Sequence, residues 1–230
     1  KKIIDFNNKK YYNSKLQVQS DSRERQPLVY VNVDGGPGDM KNTSPAEVEE
    51  IMRYAGENPD KSIAVITPFV NQRILIERGI KENGFEHVVC GTVHAFQGDE
   101  KDVVLFSTAL SDRTGKGTYD WLKNNKELIN VATSRAKDKL ILLADGKELE
   151  RLHQGNEDDD LYELVQYVKT NGESKITEKH ISSRALGIQP FSTETEAAFM
   201  KNLTHALENI WLTRNKYTIH KEVAISQVFH

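Results

Sequence analysis

Four short apolar runs punctuate the first part of the chain, at residues 28–33, 62–67, 102–108 and 139–144. Each is nearly continuous in Val, Ile and Leu and is bounded by turn residues. That pattern predicts strands buried on both faces of a parallel sheet. Helical spacing lies between them. Thr43-Ser44-Pro45 followed by Glu47 predicts an N-cap, a proline at the first helical position and an acidic first turn, opening a helix that runs to about Tyr54. A second helix is expected over 70–82, stopping at Asn83-Gly84. Leu161, Leu164, Val165 and Val168 follow the acidic run 157–160 at helical spacing. They predict a helix with a solvated acidic start, favoured by the macrodipole, ending at Asn171-Gly172. Strands alternating with helices specify an α/β fold.

The remainder reads differently. Residues 174–190 are polar and mixed, as in a linker. Residues 193–207 then carry Ala197, Phe199, Leu203 and Ala206 at helical spacing, and 217–223 reads as a strand. The expected organisation is one α/β domain over 1–173, a linker over 174–190, and the start of a truncated second domain over 191–230.

Composition narrows the chemistry. Lys and Arg number 31 against 34 Asp and Glu, a net charge of -3, so any nucleic-acid contact must come from a local surface. Cys90 is the only cysteine, which excludes an internal disulfide and a cysteine-rich zinc site and fits a reducing, cytoplasmic setting. Seven histidines make no metal spacing. No apolar run approaches the roughly 20 residues of a membrane span. The chain opens on Lys1-Lys2 without Met, as expected of an excised or processed piece.

Two segments carry most of the chemistry. The first runs Gly91-Thr92-Val93-His94-Ala95-Phe96-Gln97-Gly98-Asp99-Glu100-Lys101-Asp102-Val103-Val104. A strand end gives way to a Phe-Gln-Gly turn, two acids and another strand. Gly98 permits close backbone approach to a phosphate or ribose, and Glu100 is able to accept from a ribose hydroxyl. Alone, the turn reads better as a helix start with incidental acids. The second is Ile129-Asn130-Val131-Ala132-Thr133-Ser134-Arg135-Ala136-Lys137, a semi-apolar helix pattern before the strand at Leu140. An arginine among small residues suits charge developing on a transferred phosphoryl group; the plain alternative is a surface arginine at a helix C-terminus.

Together these segments resemble motifs V and VI of the superfamily 1 helicases, in the branch of the nonsense-mediated-decay RNA helicases. Thr67-Pro68-Phe69 with Gln72-Arg73 resembles motif IV in the right order, and the likeness extends over about residues 3–172. The resemblance implies the second, C-terminal RecA-like motor domain of an ATP-dependent helicase: a mainly parallel sheet covered by helices, with a partial C-terminal appendage. It implies ATP and Mg2+ as cofactors. Gly98, Glu100, Arg135, Arg73 and Gln72 would face the nucleotide, with Arg135 as arginine finger and Arg73 as a second arginine on the same phosphate. Thr67, Pro68, Thr92 and His94 would lie along single-stranded nucleic acid, DNA ahead of RNA; His94 stands where many relatives have Asp. Gln97 is assigned to the interface between motor halves, and Lys137 to a helix neighbour's supporting role.

The phosphate-cradling P-loop is absent. Gly115-Lys116-Gly117-Thr118 lacks the upstream glycine and the Ser or Thr after its lysine, and reads as a flexible loop. Asp34-Gly35-Gly36-Pro37-Gly38-Asp39 reads as a connecting turn. The family carries its P-loop on the first motor domain, so the fragment is expected to be inactive without that upstream partner. A weaker resemblance links Glu194 and Glu196, followed by the strand at 217–223, to the opening of a PD-(D/E)xK nuclease-like domain. Two other readings compete with the motor: a non-catalytic nucleic-acid-binding scaffold, and the arm of a helicase-nuclease.

Overall fold

The computed structural model describes residues 2–15, 24–33, 36, 40–92, 100–155 and 158–177. The expected truncated domain over 191–230, most of the 174–190 linker, and His94, Gln97 and Gly98 lie outside the described residues.

Among the described residues thirteen elements follow in order: α1 (Lys2–Tyr11), β1 (Leu28–Asn32), α2 (Pro45–Glu57), β2 (Ile63–Ile66), α3 (Val70–Asn83), β3 (Val88–Gly91), β4 (Lys101–Ser107), α4 (Lys116–Lys123), α5 (Lys126–Ser134), β5 (Ala136–Ala144), α6 (Gly146–His153), α7 (Asp160–Asn171) and β6 (Glu173–Ile176). The six strands form one sheet in the order β3-β2-β4-β5-β1-β6, and every pairing is parallel. The α/β expectation holds, and so do the four buried strands.

Alternation along the strands divides two cores. Leu140, Leu142 and Ala144 join Leu28, Tyr30, Val104 and Phe106 on one face, under Ile3, Phe6, Tyr119, Leu128, Leu149 and Leu164 of the helices. Ile141 and Leu143 join Val29, Val31, Val65 and Leu105 on the other, against Ile51 of α2 and Ile76 of α3. Helices on both faces explain why these strands read as continuous apolar runs.

Local signals account for several boundaries. The Ser44 hydroxyl accepts from Glu47 N and Pro45 begins α2. Gly84 closes α3 at φ 66°, a left-handed value that glycine adopts without steric cost.

Other expectations change. Residues 115–118 are not a loop: Gly115 is the N-cap of α4, and Tyr119 and Leu122 bury that helix's core face. Ala136 and Lys137 belong to β5, not to the preceding helix. Residues 174–176, read as linker, join Glu173 in β6 beside β1. Asp159 and Asp160 are 1% and 2% exposed, far from solvated. Asp159 caps α7 through Tyr162 N at 2.9 Å, accepts from Tyr119 Oη at 2.7 Å and meets His153 Nδ1 at 3.0 Å. Asp160 accepts from Tyr11 Oη at 2.7 Å and pairs with Lys10 at 3.0 Å. These acids fasten α7 to α4 and α1.

Candidate functional site

Parallel strands give the sheet two chemically distinct ends, and the candidate residues divide between them. At the amino ends of β4 and β5, Lys101 is in register with Ala136. Glu100 and Arg135 immediately precede those residues, so an acid of one motif and the arginine of the other lead into neighbouring strands. The Lys101 amide donates to the Arg135 carbonyl at 3.0 Å, fixing the junction.

Arg135 is the C-cap of α5, at φ -89° and ψ -12°, and its amide donates to Val131 O. One residue later the chain is extended, so Arg135 occupies the corner between helix and strand. Its Nε is buried and has no hydrogen-bond partner. A buried guanidinium donor left open in this way is costly, and its chemistry matches an anionic oxygen.

The helix carrying Arg135 is itself held. Asn7 of α1 is wholly buried and donates to Asn130 Oδ1 at 2.8 Å and Thr133 Oγ1 at 2.5 Å. The edge is braced from the other side by Asp102, whose carboxylate accepts from Ser62 N at 2.9 Å and Ser62 Oγ at 2.7 Å. Those hydrogen bonds hold its carboxyl below the usual range. Sequence reasoning missed Asn7 and gave Asp102 no separate role; both act across long separations in the chain.

The carboxyl ends carry the other set. Ile66 of β2 is in register with Gly91 of β3, and Thr67 N donates to Gly91 O at 3.2 Å. Thr67 and Thr92 therefore follow on adjacent strands. Thr67 is fully buried, yet its Oγ1 has no hydrogen-bond partner. Pro68 is half-buried.

Arg73 and Gln72 fall at this same end and not beside Arg135. Ile66 is level with Phe106 and Phe106 with Leu142, whereas Arg135 precedes β5. The seven residues of β4, at about 3.3 Å each, separate the two ends by roughly 20 Å. Arg73 instead pairs with Glu77 at 2.9 Å. Gln72 has no exposed surface. Its amide receives Ser44 N at 2.8 Å and donates to Ser107 Oγ at 3.0 Å, so it frames the edge from within. Gln72 and Arg73 thus stand toward the carboxyl end of the sheet and Arg135 at its amino end. Lys137 is exposed on β5.

Among the described residues no cluster of His, Cys, Asp and Glu is arranged to hold a metal ion, and no helix is long and apolar enough to cross a membrane.

Comparison with known proteins follows the same lines. The chain is 31% identical over 166 residues to the RNA helicase Mov10l1 of Mus musculus, covering 65% of this chain and 13% of that protein. It is 32% identical over 124 residues to a regulator of nonsense transcripts 1 homolog of Drosophila melanogaster, covering 50% and 10%. An uncharacterized ATP-dependent helicase of Methanocaldococcus jannaschii is 27% identical over 206 residues, covering 77% and 29%. The chain thus spans less than a third of each of these relatives. Among solved structures it is similar to the C-terminal domain of a possible DNA helicase from Lactobacillus plantarum WCFS1, at 18% identity and TM-score 0.43, covering 77% of this chain and 96% of that one. A protein-family profile described as an AAA domain matches residues 1–147, and with that match over more than half its length the chain belongs to this AAA domain family.

Proposed function

We propose that the chain is the second, C-terminal motor domain of an ATP-dependent nucleic-acid helicase. The observation that carries this is Arg135 at the amino end of β5, next to the start of β4 that follows Glu100, with a buried Nε that lacks a partner. In this reading Arg135 is the arginine finger, Glu100 and Gly98 receive the nucleotide, and the P-loop and Mg2+ belong to another domain of the intact protein. Bound ATP supplies the phosphoanhydride whose cleavage drives movement. Arg135 contributes a fixed cation that neutralises charge on the transferred phosphoryl group, without reorganisation at the moment of reaction.

Thr67, Pro68 and Thr92 form the strand track at the opposite, carboxyl-terminal edge, for single-stranded DNA ahead of RNA, and His94 is assigned to the same track by its motif. The separation of the two edges supports a lever: closure of the nucleotide edge moves the track as one rigid sheet. The 230 residues contain no P-loop signature. Steady-state ATP turnover by this chain with saturating single strands is therefore expected to be negligible, and the intact protein is expected to turn over. Turnover of about 1 s⁻¹ or more by this chain alone, in the range of working enzymes, contradicts the reading.

A further inference from the structure

The carboxyl-terminal edge carries an aromatic surface that none of the motifs accounts for. Trp121 of α4 is 52% exposed, although Tyr119 and Leu122 beside it are almost completely buried. Those two fill the core-facing side of α4, and the indole is left outside. It rests on Phe69, with ring centroids 6.1 Å apart and planes at 45°. Phe69 is the N-cap of α3 and stands two residues beyond Thr67, whose buried hydroxyl lacks a partner.

We propose that Trp121, seated on Phe69, is a base-stacking platform for single-stranded nucleic acid crossing the edge at Thr67 and Pro68. The inference rests on the reading of this edge as a strand track and adds the group that would hold the bases. Three features favour a nucleobase as occupant. The indole is about half exposed, and Phe69 packs against it at a tilt. The exposed neighbours on and after its helix, Asp120 and Asn124, are polar, so the ring is not the centre of a broad apolar patch on α4. The chain's net charge of -3 gives no global attraction for phosphates, so stacking would carry a large share of binding. A π face is sequence-tolerant because every base can stack on it, as a translocating motor requires.

The test uses the 230-residue chain carrying Trp211→Phe, which leaves Trp121 as the sole tryptophan. It is titrated with oligo(dT) of about 12 nucleotides, within the usual single-strand site sizes, and with an abasic strand of equal length. Oligo(dT) is expected to quench the indole fluorescence. Read by anisotropy of end-labelled strands, which needs no tryptophan, Trp121→Ala is expected to weaken oligo(dT) binding about 5- to 150-fold, Trp121→Phe to retain most of it, and abasic binding to be the same in all three. Oligo(dT) bound equally tightly by Trp121→Ala overturns the platform and leaves the ring to a protein partner. Equal losses for oligo(dT) and the abasic strand overturn it in favour of a structural role. Absence of binding to either strand by the parent chain refutes the strand track itself, and the platform with it.

Discussion

Glu47 and Ser107 form a buried hydrogen bond of 2.6 Å, the Ser107 hydroxyl donating to the carboxylate. Glu47 is wholly buried and also accepts from Ala109 N at 3.0 Å. Ser107 in turn receives Gln72. The network ties α2 and α3 to the end of β4, under the edge that carries Thr67. Burial outweighs these donors and pushes the Glu47 carboxyl up to about 8.

A folded-state value above the unfolded one gives a definite sign. The native state holds the proton more tightly, so the stability gained is fully present below about 4.5 and is lost as pH rises through about 8. Glu47→Gln removes the titration while keeping the shape. Thermal melts at pH 5.5 and 8.5 are expected to show wild type losing more than the variant, by at least about 1 kcal/mol or roughly 2–4 °C. Parallel pH profiles for the two proteins contradict this.

Asp159 caps α7 and serves the buried Tyr119 hydroxyl. Asp159→Ala removes an N-cap, a loss of about 0.5–2 kcal/mol, and leaves a buried hydroxyl unpaired, a further loss of about 1–3 kcal/mol. The expected loss is about 2–4 kcal/mol, read by urea denaturation, with Asp159→Asn losing less because the amide oxygen still caps. A loss under about 0.5 kcal/mol, the level of ordinary surface changes, would show that Asp159 is not a structural hub.

Gly172 ends α7 for a reason other than the left-handed turn that glycines usually supply there. Its φ is -128°, but an added Cβ would lie 2.3 Å from Leu28 O and 2.7 Å from Leu28 Cβ. Gly172→Ala must therefore push β1 and α7 apart, an overpacking cost of about 1–3 kcal/mol. Gly117, inside α4 with open space around it, provides the control. Equal melting temperatures for the two alanine variants would refute the close approach.

The elements legible in the sequence are those whose burial is written in their own residues. The Val, Ile and Leu runs of β1, β2, β4 and β5 and the Ser44-Pro45 cap are local signals, and the structure follows them. β6 was illegible because Glu173–Ile176 is exposed along its length; only pairing with β1 makes it a strand. The acids before α7 were misread because charge suggests solvent, whereas Tyr119, Tyr11 and Lys10 reach them from distant elements. The burial of Gln72 is illegible for the same reason: its partners Ser44 and Ser107 lie 28 and 35 residues away. The junction of Glu100 with Arg135 was half legible. The two motifs named the residues, but the strand register that leads them into neighbouring strands appears only in the folded sheet.

Arg135 bears the central claim. In the intact protein, Arg135→Ala is expected to lower single-strand-stimulated ATP turnover by about 10³- to 10⁵-fold while nucleotide binding persists. Arg135→Lys is expected to fail as a replacement, because lysine lacks the planar fork of donors. The decisive measurement is kcat of Arg135→Ala with saturating ATP and single strands, beside its nucleotide affinity. A loss in that range with affinity retained is the predicted result. A loss of less than about tenfold, far below an arginine finger's contribution, would contradict the account and leave Arg135 a helix cap.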